Sequence, residues 1–389
     1  MSRIVRVRAI PVCLTILIAW SQAMAQSRDS TARRVATDSA KSVAADTSIK
    51  TTFGAFVDGY YAYDFDRPAN FDRSYTTQPA RHNEFNINLA FVEARLDGPR
   101  IHGRLALQAG TSVQANYAGE PANGAVSGPD VSRFIQEAFA GYKVADKLWV
   151  DGGIFFSPIG NESFISRDNW NYSRSLVSDY TPYYQSGVRA VWQTTSKLTS
   201  TFVVMNGWQN ISETNSDKGV VVRLDYAANT RVTLSYDNFV GNEQPDSLPS
   251  RLRIFNEVIA KMQLTDALGL AATYDYGVQK RASGTAEDTW RGAVLVGRYQ
   301  VSPTVALNGR VEYFGDPGQV LIVVPTGATS FRSAGASIGV DVSPQPRLIW
   351  RTELRAFSAR NPIFPDPTSS PNSLSRDDGF AVTSFGMTF

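Results

Sequence analysis

In the stretch LIWRTELRA the side chains alternate. Leu348, Trp350, Leu354 and Ala356 fall on one side, and Arg351, Glu353 and Arg355 on the other. VALNGRVEY repeats the pattern, with Val305, Leu307, Val311 and Tyr313 against Asn308, Arg310 and Glu312. LGLAATYDYGVQ sets Leu268, Leu270, Ala272, Tyr274, Tyr276 and Val278 against Gly269, Ala271, Thr273, Asp275, Gly277 and Gln279. Period two marks a β-strand with two unlike faces. A soluble β-sandwich also alternates, but its hidden face is apolar. Burying Arg351, Glu353 and Arg355 in such a core is very costly. The apolar face therefore looks outward to a nonpolar solvent, and the charged face looks inward.

Sixteen segments carry the pattern, at about 53–65, 83–97, 100–114, 131–143, 147–157, 184–195, 197–208, 218–227, 230–241, 250–264, 267–280, 287–301, 304–314, 330–343, 346–358 and 378–389. Their lengths suit tilted strands crossing a bilayer. In FNINLAFVEARL the phase changes near Phe91 and Val92, which predicts a β-bulge there. Connections alternate between short links such as LDGP, VADK and SP and long ones at about 66–82, 115–130, 158–183, 209–217, 242–249, 281–286, 315–329 and 359–377. The expected fold is all-β: a transmembrane antiparallel barrel of about 16 strands, with short periplasmic turns and long extracellular loops. The final strand, GFAVTSFGMTF, pairs with AFVDGYYAY to close it, because lipid cannot satisfy a free edge. Phe385, Met387 and Phe389 then face lipid. Tyr60, Tyr61, Trp149, Tyr299 and Trp350 are candidates for the interfacial girdles.

Residues 1–25 read as a cleaved signal peptide: Arg3, Arg6 and Arg8, the apolar run IPVCLTILIAW, then Ala23-Met24-Ala25. Residues 26–52 read as a flexible periplasmic segment and 53–389 as the barrel. The one cysteine, Cys13, lies in the signal, so the mature chain has no disulfide or thiol chemistry. An exported chain of this size without disulfides points to a bacterial envelope. The formal charge is +2, and losing the three signal arginines takes it to −1, so no strongly charged partner such as nucleic acid is implied.

With sixteen strands the lumen is too wide for wall side chains to fill. The longest connection, PIGNESFISRDNWNYSRSLVSDYTPYY, carries Glu162, Arg167, Asp168, Trp170, Arg174 and Asp179. Its apolar residues Phe164, Trp170 and Tyr172 point to a loop folded into the lumen as a constriction. The phrases GAFVDGYYAYDFDRP, DNWNYSRSL and MNGWQNI resemble the OmpL-like β-barrel porins over about Phe53 to Phe389, and a sixteen-stranded barrel with a longest third loop looks like a general trimeric porin. The resemblance implies an outer-membrane barrel passing small hydrophilic solutes by diffusion. It also implies a basic wall facing an acidic inner loop. Arg104, Arg189, Arg298, Arg310, Arg351 and Arg355 are the wall candidates, and Glu162 and Asp168 would oppose them. Glu312, Glu353, Asp275 and Asp237 share that wall, so pairing across strands is the competing expectation.

Partners expected on this reading are outer-membrane lipid, the barrel-assembly machinery that reads the C-terminal strand, small solutes, and further copies in a homo-oligomer. No cofactor or metal is expected. Asp64, Asp66 and Asp72 suit turns better than an ion. An enzyme is not expected: His82 and His102 are placed at opposite ends of a strand pair, without evident partners. The alternative is a non-conducting barrel that serves as surface adhesin or scaffold through its long loops.

Overall fold

The structure is a computed structural model and describes residues 48–389, apart from 283, 368, 369, 371 and 372. The expected signal peptide and residues 26–47 lie outside the described part. Strands β1 (Lys50–Asp64), β2 (Phe85–Asp97), β3 (Ile101–Ala109), β4 (Ile135–Ala145), β5 (Leu148–Phe156) and β6 (Tyr184–Trp192) open the sheet. It continues through β7 (Leu198–Met205), β8 (Gly219–Asn229), β9 (Val232–Asn242), β10 (Leu252–Gln263), β11 (Leu268–Lys280) and β12 (Glu287–Ser302). Strands β13 (Val305–Asp316), β14 (Phe331–Gln345), β15 (Leu348–Ala359) and β18 (Asp377–Thr388) complete it, while β16 (Phe364–Pro365) and β17 (Leu374–Ser375) form a separate hairpin. Each barrel strand pairs antiparallel with its neighbours, and β1 pairs with β18 from Phe56↔Thr388 to Asp64↔Phe380. The Phe389 amide donates to Ala55 O at 2.9 Å beyond the last ladder pair. The result is a closed sixteen-stranded antiparallel barrel without free edges.

The outer surface carries the apolar phase of the pattern. Val188, Phe202, Leu234, Val258, Leu295, Leu307, Val311, Ile338, Trp350 and Leu354 are all exposed. A contiguous apolar belt of this kind suits lipid rather than water. Tyr299 belongs to it, whereas Tyr60 is buried inside and Trp149 stacks on His102 in the lumen, so those two are not girdle residues.

Two sequence expectations need correcting. The third strand stops at Ala109 rather than near 114, and a short helix, α1 (Thr111–Asn116), follows. Gly110 makes the break: its φ of 140° is open to glycine, and a Cβ there would lie 2.3 Å from Asn88 O. The bulge in β2 sits at Asn88, not at Phe91–Val92, since Asp58 pairs with Leu89 and Gly59 with Ile87. Both Asn88 and Leu89 are consequently buried. Two more one-turn helices lie in the long connections, α2 (Pro129–Ser132) and α3 (Leu176–Asp179).

Candidate functional site

The long connection from 157 to 183 crosses the barrel interior. Ser166 Oγ donates to Asp58 Oδ2 on β1 at 2.6 Å. The Gly160 amide donates to Glu257 on β10 at 2.8 Å. The Asn171 amide side chain donates to Ser337 on β14 at 3.1 Å. Trp170 packs against Gly269 of β11, and Arg223 of β8 donates to Pro158 O at 2.6 Å. One loop thus touches strands around most of the circumference.

Its densest contacts are with β13 and β15. Arg310 donates to Ser173 O at 2.7 Å and to Ser173 Oγ at 2.8 Å. Arg355 donates to Arg174 O at 2.7 Å, and Glu312 accepts the Leu176 amide at 2.7 Å. Arg351 donates to the carbonyls of Ser166, Asn169 and Trp170 at 2.7, 2.9 and 2.6 Å. The irregular loop backbone has no ladder of its own, so these wall side chains satisfy it. In return the loop covers them: Arg310, Arg351 and Arg355 are 3 %, 2 % and 1 % exposed. Tyr172, Leu176 and Val177 then join an interior apolar cluster with Phe155, Phe239, Phe255, Trp290 and Phe314.

Arg174 is the point where three connections meet. It donates to Thr77 Oγ1 at 2.7 Å, to Asn116 Oδ1 and Ser112 Oγ at 3.2 Å each, and to Phe164 O at 3.0 Å, with its guanidinium 4.0 Å from the Tyr183 ring centre. Glu162 staples the loop on itself by accepting the Ser175 amide at 2.9 Å and the Ser175 hydroxyl. Burial pushes the Glu162 carboxyl up, but Arg310 and the Ser175 hydrogen bonds outweigh it and hold it below its usual range. Burial pushes Asp179 up to about 6 despite Arg174 and the hydrogen bond from Thr77.

All six arginines expected on the wall project inward, but none stands alone. Arg310 pairs with Glu353 at 3.1 Å and Glu312 at 3.2 Å, Arg355 with Glu312 at 2.7 Å, and Arg351 with Asp341 at 2.9 Å. Arg298 pairs with Asp341 at 2.5 Å, Arg189 with Asp151 at 2.8 Å, and Arg104 with Glu93 at 2.6 Å and with Glu137. Cross-strand pairing takes up most of the wall charge, and the acidic loop meets the basic wall at one point, where Glu162 lies 3.8 Å from Arg310. Asp168 pairs with Arg167 at 3.5 Å and is partly exposed, and Arg167 reaches Thr388 with its guanidinium 5.3 Å from the Phe56 ring centre. Phe385, Met387 and Phe389 lie exposed on the outer face.

Sequence reasoning missed Asp58, which accepts from Ser166, Asn88 and Tyr172. Its inward phase in AFVDGYYAY was the available signal. The histidines also differ from expectation. His102 Nε2 is 2.6 Å from Asp151 Oδ1 and its ring stacks on Trp149 at 4.2 Å, while buried His82 accepts the Asp64 amide at 2.9 Å through Nδ1.

The sequence profile described as "Putative beta-barrel porin-2, OmpL-like" matches residues 50–389. The chain belongs to this OmpL-like β-barrel porin family. Solved outer-membrane barrels share its fold at low identity. The anion-selective porin from Comamonas acidovorans has a TM-score of 0.57 at 10% identity, covering 88% of this chain and 100% of that one. The outer-membrane channel DcaP of Acinetobacter baumannii has a TM-score of 0.56 at 13% identity, covering 88% and 98%. OmpT of Vibrio cholerae in a trimer form has a TM-score of 0.58 at 8% identity, covering 88% and 100%. None of the curated proteins matches the chain by sequence. Membership of the OmpL-like family supports an outer-membrane porin role for the barrel, and the solved neighbours share its fold.

Proposed function

We propose that this outer-membrane barrel passes small hydrophilic solutes by passive diffusion and that the connection 157–183 sets the width of the path. The observation that carries this reading is the seating of that loop on Arg310, Arg351, Glu353 and Arg355, which covers the wall charges at its level. A docked loop closes the lumen there, and a displaced loop exposes a polar wall that water and solutes follow. The loop is both constriction and gate. The barrel does no covalent chemistry on its solutes. Residues 1–25 direct export in a Gram-negative cell and are cleaved, the assembly machinery inserts the barrel through its last strand, and copies associate as a homo-oligomer in the membrane.

The near-complete burial of Arg310, Arg351 and Arg355 under the loop also favours a second reading, in which the loop never leaves and the barrel serves as an adhesin or scaffold. Single-channel recording on mature protein, refolded from detergent into a planar bilayer, separates the two. The porin reading expects discrete openings, and a larger conductance after deletion of Glu162–Asp179. A folded, heat-modifiable barrel that stays electrically silent with and without that segment overturns it.

A further inference from the structure

Where the first and last barrel strands meet, on the rim of the long connections, aspartates crowd one corner. Asp64 ends β1 and Asp66 follows it. Asp377 and Asp378 begin β18, and Asp366 lies in the connection between β15 and β18. A cavity of about 10 Å³ lies within the corner, lined by Asp64, Asp66, Ser74 and Asp378 with Pro68, Phe364 and Pro365. That is about the volume one water or one small ion needs.

Two oxygens in this corner are buried without a hydrogen-bond partner: Asp378 Oδ1, on a residue only 7% exposed, and Asp66 Oδ2. The neighbouring cation, Arg73, is held on Asp64 and gives no hydrogen bond to Asp66 Oδ2 or Asp378 Oδ1. Arg73 donates to Asp64 Oδ2 at 3.2 Å and to Pro79 O at 2.7 Å, with its guanidinium 3.5 Å from the Phe380 ring centre. Asp64 Oδ1 already accepts the Asp66 amide at 3.1 Å. Buried carboxylate oxygens left in this way are costly unless a proton or cation meets them.

We propose that the corner binds one divalent cation of the calcium class, held by Asp66 Oδ2 and Asp378 Oδ1, with oxygens of Ser74 and water completing the shell. Among the described residues no three acidic or histidine side chains are already gathered in metal-ligand geometry. That favours Ca²⁺, whose loose shell of about 6–8 oxygens accepts hydroxyls, carbonyls and water beside two carboxylates, over Mg²⁺, which demands a near-ideal octahedron. The ion would tie the first long connection to the last across the β1–β18 seam. The site does not depend on whether the barrel conducts.

Isothermal titration of CaCl₂ into the EDTA-stripped barrel in detergent tests this. The expected result is saturable binding with a Kd on the order of 10⁻⁴–10⁻³ M and a higher unfolding temperature in Ca²⁺. Binding should be lost in D378N and in D66N, and retained in D130N, whose carboxyl is exposed on a distant connection. Asp66 lies outside the barrel wall, so D66N reports on ligation even if D378N fails to fold. Absence of Ca²⁺ binding by the wild type, or unchanged binding in D66N, overturns the proposal. Equal affinity for Mg²⁺ overturns the assignment to the calcium class.

Discussion

Both polar hydrogens of Ser173 end on the carboxylate of Glu353, the amide at 2.7 Å and the hydroxyl at 2.8 Å. Glu353 projects from β15 and is 2 % exposed, so one wall side chain anchors the middle of the inner loop. The same carboxylate accepts from Arg310 at 3.1 Å. In E353A the Ser173 amide loses its acceptor and Arg310 one of its two wall carboxylates. Breaking a buried pair in this way costs about 3–5 kcal/mol. E353Q keeps the shape and one acceptor, and costs less. Heat-modifiability on gels should show the order wild type, E353Q, E353A, and the conductance of E353A should be larger and noisier.

Asn171 Nδ2 lies 3.1 Å from Ser337 Oγ, so N171C/S337C brings two thiols together across loop and wall. The one native cysteine, Cys13, precedes the barrel and lies in the segment proposed to be cleaved. Oxidation of the double variant should lower the conductance, and reductant should restore it. Equal conductance in both states would show that solutes pass without movement of the loop.

Docking of the loop should depend on pH through Asp179. Burial raises its carboxyl to about 6 in the docked state. A raised carboxyl binds its proton more tightly when docked than when free. Its contribution is therefore complete below the ordinary aspartate value of about 4 and is lost as pH rises through about 6. Conductance should rise over that window, and D179N should flatten the rise. An unchanged profile in D179N would assign the dependence to another group.

Gly277 faces Trp290 across β11 and β12, and a Cβ there would lie 2.0 Å from the indole. The indole is 1 % exposed and has no room to retreat. G277A should cost about 1–3 kcal/mol by overpacking, measured by urea unfolding followed through tryptophan fluorescence. G309A, whose Cβ meets nothing nearer than 3.8 Å, should be close to neutral. Trimming the ring in G277A/W290L should recover part of the loss.

The strand pattern was readable because alternation is local. Leu307, Val311, Trp350 and Leu354 face outward and Arg310, Glu312, Arg351 and Glu353 inward, as their positions in VALNGRVEY and LIWRTELRA require. Reading failed where local signals were ambiguous. Asn88 and Leu89 are both buried by a bulge that only the β1–β2 register reveals. Gly110 ends β3 through a backbone conformation that no neighbouring residue announces.

By itself the sequence determined a closed sixteen-stranded wall, its lipid-facing side and the strand that seals it, since period two and the need to satisfy every edge leave little choice. It also supplied the charges of the lumen. Only the tertiary structure decided how those charges are used. Ser173 meets Arg310 and Glu353 across 137 and 180 residues of chain, and Arg174 collects Thr77, Ser112 and Asn116 from two other connections. Residue types state what can donate and accept, and the partner of each is set by which strands the closed barrel brings to the same depth.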